Sequence, residues 1–355
     1  MKPTYDLSKS YYWNYENGPI YKGVPPKLEA RERKEFLGYR VNSTLGVAAG
    51  PLLNSRWISL YASLGFDILT YKTVRTLKFP CYEWPNLVCL DVKGQLEDPS
   101  PEERVVVRDT VPEDPTKVSL AVSFGMPSAE PAVWQADVEK AKATLSPGQI
   151  LIVSVVGTPN GGGKLEALAE DFADCARMAV DAGADVVEAN FSCPNVPGLE
   201  GQLFSRPHDA SFVARRIREK MGDKPFLLKI GFLQDDAKIR ELLLKTSPYI
   251  DGITLSNGLI KTITKRDGSP AFPGRERSGV VGACIRENAF ETFLRFRSIA
   301  DEMDLSLTWL TVGGVIGPED VRRYYQNGAD AVLVATGAMF RPHLALEVKE
   351  TLPNL

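Results

Sequence analysis

The chain is poor in the residues that build metal and redox clusters. Only five cysteines and two histidines occur among its 355 residues. The cysteines, Cys81, Cys89, Cys175, Cys193 and Cys284, form no C-x-x-C pair, so neither structural zinc nor an iron–sulfur cluster is expected. Their odd number suits a reducing cytosol better than a disulfide scaffold, and a cytoplasmic location is expected. No apolar run is long enough for a bilayer span, and the first residues lack a signal-peptide core, so no membrane partner is expected. Basic runs are missing too. With a net charge of −3 and no basic-aromatic stripe, nothing draws the chain to nucleic acid. No G-x-G-x-x-G follows the first apolar run, which argues against a Rossmann fold. The Gly-rich run from Thr158 to Lys164 lacks the Gly-Lys-[Ser/Thr] ending of a phosphate loop and reads as an ordinary loop.

What is present is the alternation of a parallel α/β protein. Hydrophobic residues make up 44%, ordinary for a soluble globular chain, and the length allows one large barrel with appendages or two domains. Four times Gly and Asp occur together before an apolar run: Gly65-Phe66-Asp67, Gly183-Ala184-Asp185, Asp251-Gly252 and Gly328-Ala329-Asp330. Gly readily takes the left-handed conformation that ends a helix, and the chain then drops into a strand. Strands are predicted over 45–50, 68–74, 150–156, 186–190, 226–230, 252–256, 307–312 and 331–335. Helices are predicted over 55–64, 133–144, 165–182, 235–244, 286–300 and 318–327, with the segment from Pro342 closing the outer ring. The pattern predicts a (β/α)8 TIM barrel over 41–355. An N-terminal extension covers 1–40, where Tyr11, Tyr12, Trp13 and Tyr15 form an aromatic knot that straps onto the body. Residues 75–120 are too long for a simple connection and read as hairpins, a lid inserted after strand two.

Function points to the strand ends, where such barrels keep their chemistry. Asn190, Ser192, Cys193 and Asn195 cluster after the fourth strand. Each has an ordinary reading, the thiol as a small buried hydrophobe and the carboxamides as turn formers. Together they suit a flat polar ligand and a proton transfer. Lys72 and Lys229 end two buried strands, where a lysine is seldom structural. Gly313-Gly314 and Thr336-Gly337 end strands seven and eight, where barrels commonly hold a phosphate, and Gly279 and Gly282 add amides nearby.

Asn190-Phe-Ser-Cys-Pro-Asn195, followed by Val-Pro-Gly, closely resembles the N-x-S-C-P-N loop of dihydroorotate dehydrogenases. The Cys form is that of the class 1 enzymes. The likeness continues through Ala48-Ala-Gly50, Tyr71-Lys-Thr73, Leu228-Lys229, Ser256-Asn257, Gly282, Gly313-Gly314 and Ala335-Thr336. The related pyrimidine-reducing domain of dihydropyrimidine dehydrogenase shares this frame, and Asp267-Gly-Ser-Pro270 is similar to its Asp-Gly-Thr-Pro loop. The resemblance implies FMN across the barrel mouth, its phosphate at Gly313, Gly314, Ala335 and Thr336. Ala48, Ala49, Gly50, Lys72, Thr73, Asn190, Lys229, Asn257 and Gly282 would line the rest. It implies oxidation of dihydroorotate to orotate in pyrimidine biosynthesis. Cys193 would be the base at C5, with hydride leaving C6 for flavin N5. Asn190, Asn195 and Asn257 would hold the ring's amide edges, and Lys72 with the backbone of Phe124, Gly125 and Met126 its carboxylate. Class 1 relatives are commonly dimers, so a homodimer is one expectation.

One position departs from that pattern. The family usually has Asn before the lid's Ser-Met-Gly, and here Val122 precedes Ser123-Phe124-Gly125. A different dihydropyrimidine-like ring therefore stays open as substrate. So do a non-redox phosphate-binding barrel and a binding protein without turnover. The electron acceptor is not fixed by the pattern.

Overall fold

The computed structural model describes residues 3–28, 32–96, 100–159, 164–192 and 202–353. Among them, β1 (Lys34–Phe36) and β2 (Tyr39–Val41) form a hairpin. Its Phe36 and Val41 plug the bottom of a barrel. Residue 40, where the N-terminal extension is expected to end, lies within β2.

The chain then alternates as its apolar runs dictate. β3 (Leu45–Val47), α2 (Ser55–Ser63) and β4 (Ile68–Val74) follow a first helix, α1 (Tyr11–Asn17). After the lid strands β5 (Leu87–Leu90), β6 (Arg104–Arg108) and β7 (Ser119–Val122) come α3 (Pro131–Ala143), β8 (Ile150–Val155), α4 (Leu165–Asp181) and β9 (Val186–Asn190). α5 (Pro207–Met221), β10 (Phe226–Ile230), α6 (Asp236–Thr246) and β11 (Gly252–Leu255) continue the wheel. β12 (Leu259–Thr264) and β13 (Arg277–Gly282) interrupt it, and α7 (Arg286–Glu302), β14 (Thr308–Val312), α8 (Pro318–Gln326), β15 (Ala331–Val334), α9 (Thr336–Phe340) and α10 (Leu344–Thr351) complete it. Eight parallel strands close in the order β3-β4-β8-β9-β10-β11-β14-β15, the predicted (β/α)8 barrel. Helix-facing residues such as Leu69, Val153, Val187, Leu228 and Ile253 join the main core, while Ile68, Ile152, Val186, Leu227, Leu310 and Leu333 fill the interior.

The lid is larger than the insertion after strand two. β5, β6 and β7 join β12 and β13, which come from the sixth barrel connection, and all five close on themselves. Leu90, Val105, Ala121, Leu259, Ile263 and Val280 are among its core residues. The fully buried Lys261 is held there by Glu103 at 2.6 Å and the Ser100 carbonyl at 2.9 Å.

The N-terminal segment turns helical although its sequence shows no clear periodicity. Ser10 caps α1 by accepting from the Trp13 N–H. Tyr11 packs edge-on against Phe124 of the lid at 5.5 Å, and the Thr4 N–H donates to the Met339 carbonyl at 3.0 Å. The strap thus ties the lid to the end of the barrel.

Candidate active site

The C-terminal ends of the barrel strands and the underside of the lid enclose a cavity. Ala48, Ala49 and Gly50 enter it after β3, Lys72 and Thr73 from β4, and Phe124, Gly125 and Met126 from the lid. Asn190, Lys229, Asn257, Gly282, Gly313, Gly314, Ala335 and Thr336 line it as well. The anticipated residues that the structure describes therefore face one space. Cys193 and Asn195 lie outside the described residues.

Local hydrogen bonds hold these side chains in place. Asn190 accepts the Ser192 N–H at 3.2 Å and points its amide at the Met126 sulfur, 3.6 Å away. Asn257 donates to the Ser192 carbonyl and accepts the Gly258 N–H at 2.9 Å. The two carboxamides thus bracket Ser192, where the described part of the loop ends. Lys72 Nζ sits 4.9 Å from the centroid of Phe124, a cation–π contact. Buried Arg75 fixes the lid segment. Its Nε donates to the Met126 carbonyl at 3.1 Å, and its Nη1 reaches Gly157 O and Thr158 Oγ1, both at 3.0 Å.

The glycine corner admits no side chain. At Gly313 a Cβ would lie 2.6 Å from Ala289 Cβ, and at Gly314 2.3 Å from Arg286 Cα. Gly314 also has φ +66°, in the left-handed region that glycine adopts without steric cost. These glycines let β14 and its loop pack tightly on the start of α7 while their backbone lines the cavity.

Two hydroxyl residues, Ser256 and Tyr5, join the lining without having been assigned a site role, Ser256 having entered only as part of the Ser256-Asn257 likeness. Both are nearly fully buried. The Ser256 hydroxyl has no hydrogen-bond partner among the described residues. Burial pushes the Tyr5 phenol well above its usual pKa. Ser256 sits beside Asn257, so its position was readable. Nothing in the N-terminal segment marks Tyr5 as different from the other aromatic residues there.

Comparison with known proteins then decides the family. The dihydroorotate dehydrogenase family model matches residues 123–355. A dihydroorotate dehydrogenase from Dictyostelium discoideum is 34% identical, over 98% of this chain and 96% of its own length. The chain belongs to the dihydroorotate dehydrogenase family. A second member, the dihydroorotate dehydrogenase (quinone) of Halorhodospira halophila, is 27% identical over 87% of this chain and 81% of its own. The crystal structure of DHODH from Eimeria tenella in complex with ferulenol shares the fold, with a TM-score of 0.70 at 17% identity. It covers 93% of this chain and 86% of that one. No helix among the described residues is long and apolar enough to cross a membrane.

Against this dihydroorotate dehydrogenase frame, Val122 lies on the cavity wall, paired with Leu87 on one side and Gly279 on the other. Ser123 and Ser128, the nearby hydroxyls able to replace an Asn there, do not line the cavity. Ser123 Oγ accepts from Arg275 Nε at 2.7 Å, and Ser128 Oγ accepts the Arg75 N–H and donates to the Ala129 carbonyl.

Proposed function

We propose that this chain oxidises dihydroorotate to orotate using FMN. The observation that carries this reading is the convergence of the glycine corner, two lysines and two carboxamides on one cavity at the barrel mouth. FMN fits what is there. Gly313 and Gly314 line the cavity as bare backbone, and backbone amides with the Thr336 hydroxyl suit a phosphate. The unpartnered Ser256 hydroxyl offers a polar contact beside it. Lys229 would favour negative charge on the pyrimidine edge of a flavin. When bound, FMN supplies the acceptor for the hydride that leaves C6.

The chain's own residues do the rest. Lys72 pairs with the substrate carboxylate beside Phe124–Met126. Asn190, Asn195 and Asn257 hold the amide edges and so fix the ring's height and rotation. Cys193 removes the C5 proton, a task for a thiol whose pKa lies near or just below its ordinary value of about 8.5. Lid and strap exclude water. Burial pushes the thiols of Cys81 up to about 12 and of Cys89 and Cys284 to about 11, and raises Cys175 as well, so none of these is suited to be the base.

Val122 favours a second reading, in which the same flavin site takes a ring lacking the carboxylate. The test is to release the cofactor by heat and identify it, then mix the protein anaerobically with dihydroorotate or dihydrouracil. Release of FMN, and bleaching by dihydroorotate, is the expected result. Folded protein that neither carries nor takes up FMN defeats the oxidoreductase reading, and bleaching by dihydrouracil alone moves the assignment to the second ring.

A further inference from the structure

The barrel interior is expected to be apolar, yet one level of it is not. Alternation along β4, β9 and β11 points Thr70, Glu188 and Thr254 inward, two residues beyond Ile68, Val186 and Gly252. In such barrels inward residues of alternate strands stack in layers. The registers Thr70↔Ile152↔Val186 and Glu188↔Leu227↔Gly252 pair each residue with one two positions before the next. The stagger of tilted barrel strands, about two residues for every second strand, brings Thr70, Glu188 and Thr254 to one height. All three are fully buried, and both Glu188 oxygens and both threonine hydroxyls lack a hydrogen-bond partner among the described residues. A buried carboxylate left in that condition is too costly to persist.

The compensating charge lies one layer up. Asn190 is in register with Lys229, and Lys229 with Thr254. Lys229 is therefore one inward step above Glu188 on the neighbouring strand. It lines the cavity from below and has no ion pair or hydrogen bond with any described residue. We infer that Glu188 is the counter-charge of Lys229, joined to it through water held by Thr70 and Thr254. Glu188 is a positioning residue. It fixes the height of the ammonium and tempers the positive charge presented to the cavity floor. This rests on the proposal that a flavin lies above Lys229, and it concerns what sets the charge beneath it.

The experiment uses Glu188→Gln, Lys229→Met and the double variant in the full chain. On the apoprotein, urea unfolding should show the two substitutions to be non-additive by about fivefold or more in the equilibrium constant. The double variant should be more stable than Lys229→Met alone. Additive effects overturn the inference, as does failure of Glu188→Gln and the double variant alike to fold. On the FMN-loaded protein, Glu188→Gln removes a negative charge below the ring. Preference for reduced over oxidised FMN should rise about tenfold, or about 30 mV in midpoint potential for a two-electron couple. An unchanged potential beside a lowered stability assigns Glu188 to packing and overturns the inference while the flavin reading stands. Coupling in an apoprotein that binds no FMN upholds the pair and sinks the flavin reading instead.

Discussion

Val122→Asn tests the substrate assignment most directly. Val122 sits in β7 with Leu87 and Gly279 as cross-strand neighbours, and Leu120 and Val281 share the cavity wall. Gly279 opposite leaves room for a side chain of similar size. In the free protein the new carboxamide is half-buried and faces the cavity, so it costs less than the ~1–3 kcal/mol of a fully buried group without a partner. The apoprotein should therefore melt close to wild type. With a carboxylated ring bound, the same amide can donate to an ionised group, a bond of about 1.5–3 kcal/mol. That is roughly tenfold to a hundredfold in kcat/KM for dihydroorotate relative to dihydrouracil. The assay is the anaerobic rate of flavin reduction by each substrate at several concentrations, wild type beside variant. If wild type already reduces with dihydroorotate efficiently and the substitution only slows it, Val122 sets no specificity and the reasoning fails.

Cys193→Ala should keep bound flavin but slow its reduction by substrate about 10²–10⁴-fold, with Cys193→Ser recovering part of this at high pH; equal rates would return Cys193 to a packing role. At pH 8 the thiolate fraction of a thiol with pKa about 11 to 12 is on the order of 10⁻³ to 10⁻⁴, so Cys81, Cys89 and Cys284 should resist iodoacetamide while Cys193 reacts. Peptide mass spectrometry of a time course reads this, and early labelling of Cys81 would contradict it. Gly314→Ala puts a Cβ 2.3 Å from Arg286 Cα at a left-handed position costing about 1–2 kcal/mol. The variant should lose FMN on gel filtration and unfold at lower urea, and a variant that keeps both cofactor and stability would remove the phosphate from this corner.

The barrel was legible because its strands are apolar runs entered through Gly-Asp turns. Asp67, Asp185 and Asp330 explain part of that signal. Asp185 Oδ2 accepts the Leu151 N–H and Asp330 Oδ2 the Trp309 N–H of the neighbouring strand. Asp67 is paired with Lys349 at 2.6 Å. These carboxylates tie strand starts together, a task that recurs with the fold unit. The helix α5 is absent from the predicted elements, although Ala210, Val213, Ala214, Ile217 and Met221 have helical spacing and are buried. Its signal lies in the sequence, a few residues after the Cys-Pro-Asn loop whose polar residues dominate that region. β12 and β13 are hidden because Lys261, Thr262, Arg277 and Ser278 interrupt the apolar pattern. That pattern becomes intelligible only once the lid is known to have an interior of its own. The cavity lining was legible where small or charged residues stood at strand ends. Tyr5 was not, since its place depends on how the strap crosses Trp57 and Phe124, with ring centroids 6.1 and 6.0 Å away. Glu188 reads in the sequence as one member of a buried apolar strand, and its consequence emerges only from the register.

The lid has a consequence for the order in which the molecule can be assembled. β7 pairs with β13, so Val122 meets Gly279 across more than 150 intervening residues. During synthesis, β5, β6 and β7 emerge early and must wait, with an unpaired edge, until the sixth barrel unit has been made. Closing a loop of that length is entropically unfavourable until barrel strands bring its ends together. The roof of the cavity is therefore built after most of its floor. A ribosome-bound chain ending before β12 would hold the lysines and the Asn190 strand beneath an incomplete roof, with a strand edge open to wrong partners. Chains that stall between residues 255 and 282 should accordingly be the ones most dependent on chaperones.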